Sequence, residues 1–165
     1  MNKLREPLRQ MGECALPAAL EVMGERWSFL ILRAAFNGFV HFEDFSSELG
    51  IARNILSNRL ARLVEHGVLA RERCEHDKRK IEYRMTRKGR ELLPAMLALR
   101  DWGMRYTDNV SPGLVLVDAR DGKPIQPITI RAHDDRVIEW ADLAWAEAGE
   151  TGGVGEVPAE ACCGS

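Results

Sequence analysis

Six polar side chains are grouped between Ile51 and His66, at spacings that place most of them on one face of a helix. They are Arg53, Asn54, Ser57, Asn58 and Arg62, with Arg59 at the flank. Arginine can bond O6 and N7 of guanine together, asparagine can do the same at adenine, and serine can contact a phosphate or a base. These residue types predict a surface that reads the bases of double-stranded DNA.

A second group of cations lies in the polar stretch EHDKRK, where Lys78, Arg79 and Lys80 are consecutive. Residues 51–90 contain twelve Lys or Arg against five Asp or Glu, whereas residues 91–165 contain six against thirteen. The formal net charge of -2 therefore hides a basic middle, which is typical of a module that binds phosphates. We expect the three cations to contact the DNA backbone or to enter the minor groove.

A solvated helix face is the simpler explanation for any one of these polar residues, because Arg and Asn are usually exposed. That explanation is weaker for the whole set. It would require a polar helix face, a short glycine turn before it and a basic hairpin tip after it to coincide by chance.

The elements that must position these residues begin with three short helices, predicted from apolar side chains at spacings of three and four. They span Leu16–Gly24, Arg26–Phe36 and His41–Leu49. A turn at Gly50 leads into a longer amphipathic helix that ends near His66. Its predicted inward residues are Ile55, Leu56, Leu60, Leu63 and Val64. Two helices joined by a short turn with glycine are typical of a helix-turn-helix.

Beyond this helix the apolar period changes to two, which predicts a β-hairpin with strands near residues 68–70 and 81–85. Thr86 is predicted to cap a further apolar helix, with Pro94 either bending that helix or marking its true start. The order of elements is that of a winged helix-turn-helix. The predicted fold class is mainly α, with a small β-hairpin wing, a three-helix core and a C-terminal dimerisation helix.

After residue 110 the apolar pattern and turn residues predict an extension at 110–148. It consists of a small hairpin turning at Asp121-Gly122 and a last helix over Val137–Ala148. Residues 149–165 are acidic and rich in glycine, which favours a disordered tail. The predicted organisation is completed by an N-terminal arm at 1–13 and a DNA-binding domain at 14–109.

The chain resembles the HxlR-type winged-helix regulators over about residues 14–106. The matching strings are CALPAALEVMGERWSFLILRAAFNG, HFEDFSSELGIARNILSNRLARLVEHGVLARE, IEYRMTRKGRELLP and RDWG. The resemblance implies a dimeric bacterial transcription regulator, with Arg53, Asn54, Ser57 and Asn58 in the major-groove reading segment and Lys78–Lys80 in the wing. The chain departs from the family pattern at Ala52, where a capping Ser is common, so a less tightly fixed helix entry is expected.

A homodimer on a palindromic operator is also expected on physical grounds, because a module of this size contacts about one half-site. The candidate interface combines the N-terminal segment with the apolar helix that ends at Trp102. The alternative is that Leu97, Leu99 and Trp102 complete the core of the monomer.

Cys14 immediately precedes the first helix, and helix N-termini favour the reactive thiolate. Some HxlR-type members carry a cysteine at the matching place and respond to oxidants or electrophiles, so the resemblance implies a redox or small-molecule signal at Cys14. A small packed residue is the favoured alternative. The spacing of Cys74, His76, Cys162 and Cys163 fits no structural zinc pattern, so we expect no metal and no cofactor.

An enzyme is disfavoured, because the chain has no nucleophile elbow, phosphate loop or zinc-protease motif. A winged helix used for protein contacts remains a third possibility, although it would not need an Arg and Asn reading face. No apolar run reaches the roughly 18 residues of a membrane span, and the opening MNKLREPLRQ lacks the apolar core of a signal peptide. We expect a cytoplasmic protein that does not contact membranes.

Overall fold

A computed structural model describes residues 14–74, 77, 79–108 and 115–145, and the chain forms two compact units. The first unit spans Cys14–Ile128, and the described part of the second is residues 129–145. The elements of the first unit are α1 (Ala15–Met23), α2 (Arg26–Phe36), α3 (Phe42–Leu49), α4 (Arg53–Glu65), β1 (Leu69–Arg73), β2 (Ile81–Met85), α5 (Arg87–Arg90) and α6 (Leu93–Tyr106). This order confirms the predicted winged helix-turn-helix.

The hydrophobic core lies between α2, α3, α4 and the start of β1. Its largest fully buried side chains are Phe45, Ile31, Leu32, Leu56, Leu60, Leu63, Leu69 and Val68. The three leucines of α4 are spaced by four and three residues, so they form one stripe that faces α2 and α3. Ile55 lies about 100° around the helix from its neighbour in this stripe and is 38% exposed, so its predicted inward position is wrong.

The turn between α3 and α4 depends on Gly50, which adopts a left-handed conformation with φ of 57°. Glycine enters this region without the steric cost that a Cβ brings. Buried Ile51 follows and anchors the turn in the core. α4 then begins after Ala52, whose side chain makes no capping hydrogen bond.

The wing is an antiparallel pair of strands whose register runs from Leu69 opposite Met85 to Arg73 opposite Ile81. β2 attaches the wing to the helical core through a hydrogen bond in which the Tyr83 N–H donates to the Val40 carbonyl at 2.8 Å. This contact holds β2 beside the start of α3.

Thr86 joins the wing to the end of α4. Its hydroxyl donates to the Gly67 carbonyl at 2.6 Å and accepts from the Gly89 N–H at 3.1 Å, which confirms the predicted cap. Its own N–H donates to the Val68 carbonyl at 3.2 Å. A Cβ at Gly89 would collide with that same carbonyl, so glycine is required for this close approach.

The helix predicted after Thr86 is divided into two. α5 ends at Arg90, and α6 begins at Leu93 with Pro94 in its first turn. Proline lacks an N–H and is tolerated in a first turn, where that donor has no intrahelical partner. Of the two predictions for Pro94, the true start of a helix is confirmed.

The extension departs from its prediction. The expected turn at Asp121-Gly122 is present, but it is flanked by one isolated bridge between Val117 and Pro124 rather than by regular strands. The expected helix over Val137–Ala148 is wrong across its described part, where only Trp140–Asp142 forms a single 3₁₀ turn. Trp140 is exposed, so this short segment lacks the packing that stabilises most helices. Residues 1–13 and 149–165 lie outside the described chain, and the predicted domain division stays a prediction.

Thr86→Val should lower the free energy of unfolding by about 1–3 kcal/mol, because the Gly89 N–H and the Gly67 carbonyl lose their partner. Thr107→Val is the matched control, since that hydroxyl also donates to a backbone carbonyl but lies exposed at the end of α6. We expect less than about 0.5 kcal/mol for the control. Urea unfolding followed by circular dichroism measures both, and equal losses would contradict the role of Thr86.

Candidate nucleic-acid interface

The first half of α4 presents a polar face to solvent. Asn54, Ser57 and Asn58 are exposed, and no hydrogen bond between described residues involves their side chains. They are exposed because the leucine stripe of the same helix is buried on the opposite side. Their amide and hydroxyl groups are therefore available to an external partner.

Arg53 is exposed but held by α3. Its Nη1 and Nη2 atoms donate to the two carboxylate oxygens of Glu43 at 2.6 and 2.8 Å, and its guanidinium lies 4.9 Å from the centre of the Phe42 ring. Hydrogen bonding to this guanidinium lowers the pKa of Glu43, and the same bonds raise the pKa of Arg53. The start of α4, which has no side-chain cap, is thus tied to the preceding helix.

Arg59 and Arg62 point toward the N-terminal helices. Arg59 pairs with Glu25, and its side chain is only 20% exposed. The Nε atom of Arg59 is buried without a hydrogen-bond partner. Arg62 donates to the Glu21 carbonyl at 2.6 Å. Both arginines therefore link α4 to α1 and to the segment between α1 and α2.

Arg79 and Lys80 lie exposed at the tip of the wing. The tip is shaped by Asp77, whose carboxylate accepts from the Arg79 N–H and whose carbonyl accepts from the Lys80 N–H. An open groove of about 510 Å³ lies between these two cations, the start of α3 and Arg53. Lys78 lies outside the described residues.

Residues of α3 and β2 support this surface, although no local sequence pattern predicted that role for them. Glu43 holds Arg53, and Glu82 is a buried residue of β2 within the wing. A hydrogen bond from the Cys74 thiol lowers the pKa of Glu82, and Arg84 donates to its carboxylate at 2.8 Å. The alternating pattern of the strand gave no sign that Glu82 is buried, because its pairing with His41 joins residues that are distant in the sequence.

Apolar side chains are exposed on α1 and α6. They are Leu16, Leu20, Leu99, Trp102, Met104 and Tyr106. α6 contains no buried residue, and Trp102 is 59% exposed. The alternative in which Leu99 and Trp102 complete the core of the monomer is therefore wrong, whereas Leu97 is half-buried.

Cys14 is the N-cap residue of α1 and is half-buried. Of the four Cys and His residues weighed as metal ligands, only Cys74 is described. Within the described residues, no group of three or more His, Cys, Asp or Glu side chains has a metal-binding arrangement. His76, Cys162 and Cys163 lie outside that part. Among the helices that the structure describes, none is long and apolar enough to cross a membrane.

Comparisons with known proteins agree with this geometry. Over 88 residues the chain is 47% identical to the uncharacterised HTH-type transcriptional regulator Rv3095 of Mycobacterium tuberculosis, which is 53% of this chain and 56% of that protein. The chain thus spans little more than half the length of this relative. The crystal structure of PA1607, a candidate transcription factor, is 36% identical with a TM-score of 0.75, covering 85% of this chain and 99% of that one.

The redox regulator HypR in its oxidised form is 29% identical with a TM-score of 0.53, covering 58% of this chain and 99% of that one. A family model described as HxlR-like helix-turn-helix matches residues 22–111, which is more than half of the chain. This protein therefore belongs to the HxlR-like helix-turn-helix family, a family of transcriptional regulators and not of enzymes.

Proposed function

We propose that this protein is a sequence-specific DNA-binding regulator that acts as a homodimer and represses transcription by occupying a palindromic operator. The observation that carries the proposal is the exposed face of α4, where the side chains of Asn54, Ser57 and Asn58 make no hydrogen bond to described residues and Arg53 shares a groove with the cationic wing tip. Repression is the simplest outcome, since it requires only that bound protein exclude the transcription machinery. A bacterial regulator of this kind works beside the chromosome, so we also retain the cytoplasmic location.

The two parts of this surface are assigned different roles. Asn54, Ser57 and Asn58 would contact base edges in the major groove, because amides and hydroxyls match the donor and acceptor pattern displayed there. Lys78, Arg79 and Lys80 would contact phosphates, which position the protein without reading sequence. Arg59 and Arg62 belong to the flank of the proposed interface. Their contacts with α1 and the following turn suggest a smaller contribution to DNA binding.

Gel-shift titration with duplex fragments from the source genome tests the proposal. A specific complex should form whose affinity falls steeply with salt, because each neutralised phosphate releases counterions. A specific site should remain bound at salt concentrations that release competitor DNA. A winged helix used only for protein contacts, or an enzyme acting on a small molecule, would give no such complex.

Replacing base-reading and phosphate-binding residues should have different effects. Asn54→Ala or Asn58→Ala should relax preference at one base pair per half-site, at a cost of about 1–3 kcal/mol on the preferred sequence. Arg79→Ala or Lys80→Ala should weaken all duplexes similarly and reduce the salt slope by about one. Binding isotherms on operator and scrambled duplexes measure both effects.

Lys123→Ala is the control for these variants, since Lys123 is an exposed cation of the extension that pairs with Asp121. It should leave affinity and salt slope unchanged. A wing variant that altered only sequence preference would contradict the assignment of roles.

The dimer proposal depends on the exposed apolar faces of α1 and α6. Association of two copies would remove these side chains from water, and apolar burial contributes about 25 cal/mol per Å². A symmetric dimer would place its two α4 helices in successive major grooves. The half-sites should then be spaced by about 10 base pairs or a multiple.

Trp102→Ala should weaken the dimer by at least about 2 kcal/mol, or about 30-fold in dissociation constant, because buried tryptophans are frequent hot spots. Trp140→Ala is the matched control, since this tryptophan is 75% exposed and belongs to the second unit. Sedimentation equilibrium measures both variants, with circular dichroism to verify folding. Similar dissociation constants of the dimer in the two variants would contradict the placing of α6 in the interface.

A second candidate function is control of DNA binding by an oxidant or electrophile at Cys14. This cysteine is the N-cap of α1, beside the proposed dimer face, and the similar protein HypR is named as a redox regulator. Diamide would take two electrons and two protons from two Cys14 thiols, one in each copy, and leave one disulfide between them. The crosslink would change the separation of the two α4 helices.

Diamide should therefore release the operator from the wild-type protein but not from Cys14→Ser. Cys74→Ser serves as the control, because it removes the other described cysteine and should release like the wild type. The fraction of operator bound by each variant, measured by gel shift with and without diamide, tests this hypothesis. Undiminished release from Cys14→Ser would end this hypothesis.

A further inference from the structure

Arg53 differs from the other exposed cations of the proposed interface, because its guanidinium is already held in place. Glu43 accepts from both of its terminal nitrogens, and the Phe42 ring lies beneath it at 4.9 Å. Both supports come from α3, which the left-handed turn at Gly50 joins directly to α4. Arg79 and Lys80 have no comparable support among the described residues.

The ion pair leaves Arg53 with unused donors. A guanidinium carries five N–H groups. Glu43 is contacted only by Nη1 and Nη2, so it occupies the edge of the guanidinium farthest from the backbone. The Nε–H and one Nη hydrogen form a second fork along the side of the group. A fork of this kind matches the O6 and N7 acceptors of guanine.

Holding the guanidinium before DNA arrives changes what it can do. A free arginine loses about 2 kcal/mol of rotamer entropy when it is fixed, and it can follow a phosphate to several positions. A side chain held by a carboxylate and a ring has lost much of that freedom already. It can then discriminate between bases, since a fixed guanidinium cannot move to form hydrogen bonds with a different base.

Glu43 should not bind DNA directly, because its carboxylate would be repelled by phosphates. Its neighbour Asp44 carries the same charge in the same first turn of α3 and lines the same groove. No ion pair between described residues involves Asp44. The chain thus contains its own control for the effect of a negative charge at this place.

We propose that Glu43 and Phe42 form a fixed seat for Arg53, and that this seat makes Arg53 read a guanine through its Nε edge. Glu43 is then a positioning residue that sets base preference without touching DNA. The inference rests on the proposed DNA-binding function and adds a specificity determinant from outside the recognition helix.

Selection of binding sites from a random duplex library tests the seat, with the wild-type protein and three single variants. Arg53→Ala should lose the preference for one guanine per half-site, by about tenfold or more. Glu43→Gln should reduce the preference for guanine at that same position by at least about threefold. Asp44→Asn should keep the wild-type preferences and bind all sequences more tightly, because it removes only a negative charge.

The double variant Arg53→Ala with Glu43→Gln adds a readout that charge alone would not move. Its preference for guanine at this position should equal that of Arg53→Ala alone, because Glu43 has nothing to position once the arginine is gone. Thermal unfolding verifies that each variant is folded. If Glu43→Gln fails to fold, Phe42→Leu serves in its place and should relax preference at the same guanine.

The outcomes separate this inference from the proposed function. If the wild type enriches an operator and Glu43→Gln enriches it with unchanged preferences, Glu43 is only a surface charge, and the seat is wrong while DNA binding stands. Loss of affinity on every sequence in Arg53→Ala, without loss at one position, would show a phosphate contact and also overturn the seat. If the wild type enriches no sequence, both proposals fail.

Discussion

Burial of the leucine stripe of α4 is the interaction on which the rest of the structure depends. Leu56, Leu60 and Leu63 are inaccessible to solvent within the core, and this single constraint fixes the rotation of the helix about its axis. A rotation of about 100° would expose the stripe, and each large apolar side chain moved into water costs about 1.5–3 kcal/mol. The exposed face of Asn54, Ser57 and Asn58 is therefore a consequence of core packing.

A fixed helix is useful for recognition only if its surroundings are also fixed. The wing is held at two places, by the Tyr83 contact with Val40 and by the Thr86 contacts with the end of α4. The start of α4 lacks a side-chain cap and is tied to α3 through Arg53 and Glu43. The wing cations Arg79 and Lys80 consequently border one groove with Arg53, the first residue of α4, although they are separated from it by more than twenty residues in the chain.

Much of this arrangement could be predicted from local patterns. Helical periodicity, the turn glycine and the change to a period of two all result from neighbours in sequence, so the core helices and the wing were predicted closely. The helix predicted over Val137–Ala148 is absent from its described part, where Val137 and Trp140 are exposed rather than packed in a core, and periodicity alone does not reveal that exposure. Ion pairs such as Arg59 with Glu25 and Arg53 with Glu43 join distant residues, and the sequence contains no local signal for them.

The central claim is that the exposed face of α4 and the wing tip form a single surface that receives a DNA duplex. Nuclear magnetic resonance of ¹⁵N-labelled protein, titrated with a duplex that the protein itself selects, tests this claim most directly. The account predicts that the largest amide shift changes occur at residues 53–58 and 79–80. Shift changes concentrated elsewhere, with these amides unaffected by a bound duplex, would contradict it.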